Sequence, residues 1–159
     1  MSIDDFLSYL ERNQNMEMRK WSPDGVHKNL VRYIMDNPYR IGIEGDPCRA
    51  FQEVNLEKAV GLVDIVFVTN PEVYIVEAKV IRIMSEHKIG KIKREINQQL
   101  WNAYFYFKEH LGVAPVPVGV YKVRGNGTLR HYTLQRPVED LVLKPRPRER
   151  IDSGHEQLS

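Results

Sequence analysis

The chain has 159 residues, 42% of them hydrophobic and 28% charged, which suits a single globular core. Its 23 basic residues against 21 acidic ones leave a formal charge of +2, so a nucleic-acid footprint has to lie in how the charge is distributed. The single Cys48 excludes a disulfide framework, no apolar run is long enough to span a membrane, and the acidic start Met1 to Asp5 lacks a secretory pattern, so a cytoplasmic protein with no membrane partner is expected.

Residues 3–20 hold Ile3, Phe6, Leu7 and Leu10 at helical spacing, with Ser2 as a cap and a polar end from Arg12 to Asn15. Ser22-Pro23-Asp24 opens a second helix whose apolar face is Val26, Leu30, Val31 and Ile34, and Asn37-Pro38 stops it. Three Val- and Ile-rich strands follow, at Phe51 to Leu56, Gly61 to Val68 and Val73 to Ile81. The period then becomes helical, with Ile92, Ile96, Leu100, Ala103 and Phe107 within about 40° of one direction. Val116 to Val123 and Thr128 to Leu134 flank Gly125-Asn126-Gly127, a hairpin signal. From Arg136 the chain turns to proline and charge, which reads as a flexible tail. The order α-α-β-β-β-α-β-β predicts an α/β fold with a mixed central sheet flanked by helices.

The break Thr69-Asn70-Pro71-Glu72 is centred between Asn70 and Pro71. A symmetric hairpin there sets Val68 against Val73 and Asp64 against Glu77, with Lys79 on the Glu77 face. If the break from Glu57 to Val60 is also symmetric, Glu53 falls opposite Asp64 and three carboxylates line up across three strands. A one-residue shift would turn Glu53 away. Facing like charges cost up to about 1 kcal/mol per pair, and a divalent cation is the natural compensation. Carboxylates, a carbonyl and waters suit Mg²⁺ or Mn²⁺, with Lys79 beside them to orient or deprotonate a water. The alternative is an ordinary ion-pair cluster of Asp64, Glu77 and Lys79.

Gly61-Leu62-Val63-Asp64, twelve residues, then Glu77-Ala78-Lys79 resembles the signature of the PD-(D/E)XK nuclease superfamily. The resemblance covers roughly residues 23 to 123 and is closest to DNA endonuclease branches. It implies a restriction-endonuclease-like α-β-β-β-α-β core over 23–135, with 1–22 as an extra N-terminal helical extension and 136–159 as a tail. It implies metal-dependent hydrolysis of DNA phosphodiesters, as in the repair, recombination or replication of a microbe or its virus. Asp64 and Glu77 would be metal ligands with the Ala78 carbonyl, Glu53 would join them, and Lys79 would act as base or electrostatic stabiliser. The family's downstream Gln maps to Gln99, at the edge of the helix's inner face, whereas Gln98 points nearly opposite. Tyr106 lies on the same edge, but position 103, where a Tyr often follows that Gln, is Ala. Many members carry a metal-contacting Glu on the lead-in helix; here that helix offers Asp24 and His27, and His27 reads as a core histidine.

Lys88, Lys91, Lys93 and Arg94 form a basic stretch after the Glu77-x-Lys79 strand, where a DNA backbone would pass. Lys122, Arg124 and Arg130 extend it, and the tail from Lys144 to Arg150 carries four bases and one acid. Trp101 and Phe105 point away from the inner face, towards residues 3–10 or a homodimer seam. Two rival readings remain open at this level: an inactive nucleic-acid-binding module of the same fold, and an unrelated α/β interaction domain.

Overall fold

Period-two alternation in the middle of the chain and period-3.6 runs on either side of it produce one five-stranded mixed sheet with three helices. The computed structural model describes residues 1–15, 25–45, 49–56, 60–82, 85–124 and 128–134. The strands are β1 (Arg49–Asn55), β2 (Leu62–Val68), β3 (Val73–Ile81), β4 (Val116–Val123) and β5 (Leu129–Thr133), and they lie side by side in chain order. All neighbours are antiparallel except β3 and β4, which run parallel because helix α3 (Glu86–Tyr106) carries the chain back between them.

Helices α1 (Ile3–Asn13) and α3 cover one face of the sheet. Phe6 and Leu10 of α1 meet Ile96, Leu100 and Phe107 over Phe51, Val66 and Ile75. Helix α2 (Val26–Asp36) and the 3₁₀ turn Pro38–Ile41 cover the other, packing Leu30, Val31, Ile34 and Ile41 on Ile65, Phe67, Val76 and Val118. The α/β class with its mixed sheet is therefore as expected.

The differences lie at the ends of elements. Helix α1 stops at Asn13 because the next residues are drawn to the sheet: Gln14 bridges Val54, and the Asn15 N–H donates to the Gln52 and Glu53 carbonyls. Beyond Tyr106, α3 widens into a π turn, Phe107–Leu111, closed by Gly112 at φ 71°. Helix α1 meets that end of α3 through the Phe6 and Phe107 rings, 6.0 Å apart and edge-on, and through the Tyr9 and Tyr106 hydroxyls, 3.2 Å apart. Trp101 and Phe105, expected to face residues 3–10 or a homodimer seam, are partly buried against the cluster that holds Phe6 and Leu10, and Trp101 also meets Tyr104 edge-on. Helix α2 begins at Val26, later than the start expected from Ser22-Pro23-Asp24, because Gly25 before it has φ 70° and cannot belong to a right-handed helix. Residues 22–24 themselves, the Gly125-Asn126-Gly127 turn and the tail lie outside the described residues. Among the described residues no helix is long and apolar enough to cross a membrane.

Candidate active site

On β3, Val73 and Ile75 face α3 while Val76 and Ala78 face α2, so Glu77 and Lys79 continue the α3 side. The β2–β3 hairpin has the symmetric register, with Val68 opposite Val73 and Ile65 opposite Val76. One step further, the same register brings Asp64 across from Glu77. On the other side of β2, Gln52 pairs with Ile65 and Val54 with Val63, so Glu53 is the residue across from Asp64.

The alternation breaks at this row. Phe51 and Val54, three residues apart, both face α3, and so do Val63 and Val66. Glu53 takes up the break on β1 with φ 46°, a left-handed backbone conformation that is uncommon for a side-chain-bearing residue. The break frees the Asp64 carboxylate from strict strand geometry. Its Oδ2 accepts the Ala78 N–H at 2.8 Å and lies 3.3 Å from His27 Nε2, which comes from α2 on the other side of the sheet. In return the Asp64 N–H donates to the Glu77 carboxylate. The two acids are thus clasped reciprocally, side chain to backbone, and both are 5% exposed.

Burial raises the Glu77 pKa well above its ordinary 4.5, and the Asp64 charge raises it further, against the opposing pull of Lys79 and the Asp64 N–H. At His27 burial disfavours the charged ring, with Lys79 adding to that. The hydrogen bond to Asp64, the Asp64 charge and the Ala78 carbonyl outweigh both, so the His27 pKa is raised. His27, expected as a core histidine, is a partner of the acid row. Its place at the edge of the α2 apolar face was the one available signal, and which edge meets the sheet is a tertiary fact.

Glu53 is buried, and its Oε1 accepts from Asn15 Nδ2 at 3.1 Å. Among the described residues no three His, Cys, Asp or Glu side chains converge as a ready-made metal cage. Glu53, expected as a further ligand, therefore does not complete such a cage with Asp64 and Glu77. Asp24 lies outside the described residues.

Beside Lys79 opens a cleft of about 410 Å³ lined by Lys91, Arg94, Glu95, Gln98 and Gln99 of α3. Gln99 is where the helical geometry put it, and its Oε1 is buried with no hydrogen-bond partner among the described residues. Gln98 is exposed, in line with its expected outward direction, borders the cleft from the solvent side, and its Nε2 bonds Asn102 Oδ1 at 3.2 Å. The four expected phosphate contacts separate. Lys91 and Arg94 join Lys79 in the cleft, whereas Lys93 Nζ sits 5.1 Å from the Tyr132 ring centroid and Lys88 is exposed in the first turn of α3.

Comparison with protein-family models gives no match, and comparison with curated proteins gives none either.

Proposed function

We propose that the chain is a metal-dependent DNA nuclease with a restriction-endonuclease-like core. The observation that carries the reading is the Asp64–Glu77 pair: two buried carboxylates on adjacent strands, with Lys79 two residues beyond and a basic cleft alongside. Buried charges of one sign are costly, and a site that retains them needs a cation to offset them. The donor set fits Mg²⁺ or Mn²⁺: these ions take one or two protein carboxylates, and the Ala78 carbonyl adds a neutral oxygen. Asp64, Glu77 and the Ala78 carbonyl would hold the ion, and His27, hydrogen-bonded to Asp64, would fix the orientation of that carboxylate. The ion, when bound, would acidify a water and neutralise phosphate charge.

The chain's own groups supply the remainder. Lys79 lines the cleft two residues beyond Glu77 and suits the negative charge that would build up on a phosphate under attack. The unpartnered Gln99 Oε1 is an acceptor and suits the O–H of an attacking water. Lys91 and Arg94 suit the phosphates on either side of the scissile one.

Incubating labelled DNAs of several structures with Mg²⁺ or Mn²⁺ tests the reading. Cleavage is expected from the wild-type chain and none from Asp64→Asn or Glu77→Gln. Lys79→Ala should bind DNA as well as wild type and turn it over at least about a hundredfold more slowly. A second reading, an α/β interaction domain with an ion-pair cluster, is favoured by the His27–Asp64 contact and the reciprocal backbone bonds, which satisfy these groups without a metal. Calorimetric titration with Mn²⁺ separates the two, because only the nuclease reading expects heat that Glu77→Gln abolishes.

A further inference from the structure

A second and larger cleft, about 840 Å³, opens on the opposite face of the sheet between α2 and the β4–β5 hairpin. Among the described residues its wall carries Arg40, Lys122, Arg124 and His131 together with Asn29 and Tyr33, and none of those lining it is a carboxylate. Tyr33 is 42% exposed, unusual for a large ring inside a concavity. At the rim Tyr39 is exposed too, with the Arg40 guanidinium 5.7 Å from its ring centroid.

Each wall of the cleft is one residue along the chain or across the ladder from a neighbour of the acid row. Val26, which lines it, directly precedes His27, the Asp64 partner. Lys122 on the other wall pairs with Val80, the residue after Lys79. Two basic clefts thus lie on opposite faces of the sheet, the first lined by Lys79 itself and the second by neighbours of His27 and Val80. Among the described residues, the second combines cations with an aromatic ring and the first does not.

We infer that this cleft holds an unpaired DNA strand leading away from the acid pair, so that the substrate is DNA with a single-stranded arm. The inference rests on the nuclease reading and adds its substrate class. Cations alone would suit the outside of a duplex, whose bases are stacked and hidden. A ring set among cations suits a strand whose bases are free, since every base can stack on an aromatic face while its phosphates meet Lys and Arg. The volume agrees, as sites for small ligands run to roughly 300–1,000 Å³, enough for a nucleotide and too confined for a duplex.

The test is fluorescence anisotropy on the full chain in chelating buffer, with labelled oligothymidylate and a blunt duplex as the two probes. Tyr33→Leu is expected to weaken oligothymidylate binding about fivefold or more and to leave duplex binding unchanged, while Tyr33→Phe binds both as wild type does. Replacing Lys122 and Arg124 by Ala should flatten the salt dependence for oligothymidylate by about 1.4, roughly 0.7 for each single-strand phosphate contact. An unaffected oligothymidylate affinity in Tyr33→Leu overturns the inference, and so does an equal loss on the duplex. A chain that binds oligothymidylate through Tyr33 but cuts no DNA with Mg²⁺ or Mn²⁺ supports the cleft and overturns the nuclease reading. A chain that cuts DNA while Tyr33→Leu binds the single strand as well as wild type does the reverse.

Discussion

The Glu77 carboxylate is buried with the Asp64 charge acting on it, and without a cation a proton is its cheapest relief. Because the folded pKa lies above the ordinary 4.5, the folded chain keeps this proton in a range where the unfolded chain has lost it. The sign follows: the contribution is complete below about pH 4.5 and is lost as pH rises through the folded value. Glu77→Gln has no proton to lose. In chelating buffer its Tm should exceed that of wild type at neutral pH, and the difference should vanish below about pH 4.5. Parallel melting curves at every pH would contradict this. Asp64→Ala should act in the opposite sense, costing about 1–3 kcal/mol by urea unfolding, because it strips the buried Ala78 N–H of its acceptor.

Between strands and helices, the tightest joint is at Gly119. It pairs with Glu77 on one side and with Tyr132 on the other, and a Cβ there would lie 2.5 Å from Tyr132 Cζ. Tyr132 in turn donates to Asn97 Oδ1 at 2.8 Å, tying β5 to α3, and its burial, with Tyr121 nearby, raises its pKa. Gly119→Ala must push the ring off this bond and should cost about 1–3 kcal/mol by urea unfolding, with Tyr132 fluorescence altered in the folded state. A cost below about 0.5 kcal/mol would mean that the ring moves freely. None of this joint could be read from the sequence, in which Gly119 is one small residue in an apolar strand. The strands themselves were legible, because alternation and turn residues are local; β3 and β4 have the limits expected of them. So was the Asp64–Glu77 pairing, which needs only a symmetric turn. The end of α1 and the π turn were not, since the first depends on a bridge to β1 and the second on rings brought from α1. His27 and the split of Lys93 from Lys91 escaped for the same reason, as each depends on which neighbour a helix face meets.

Across the whole molecule, a formal charge of +2 conceals an arrangement in which basic clefts lie on both faces of the sheet. If Lys91 and Arg94 contact duplex phosphates, replacing both by Ala should flatten the slope of log affinity against log salt by about 1.8, roughly 0.9 for each contact. Lys93→Ala, which removes a cation already lying on Tyr132, should change the slope by less than half of one contact. Binding measured in Ca²⁺ over a salt series checks both, and equal slopes for all three chains would move the duplex away from α3. The sheet is open, with β1 and β5 at its margins. An open margin of unpaired N–H and C=O groups invites a strand from another molecule. Here the segment that ended α1 early lies along β1: Gln14 bridges Val54, Asn15 donates to the Gln52 and Glu53 carbonyls, and Arg49 is ion-paired to Glu11. The two residues after α1 thus occupy the margin of β1 from Gln52 to Val54, so a second chain adding a strand there would first have to displace them.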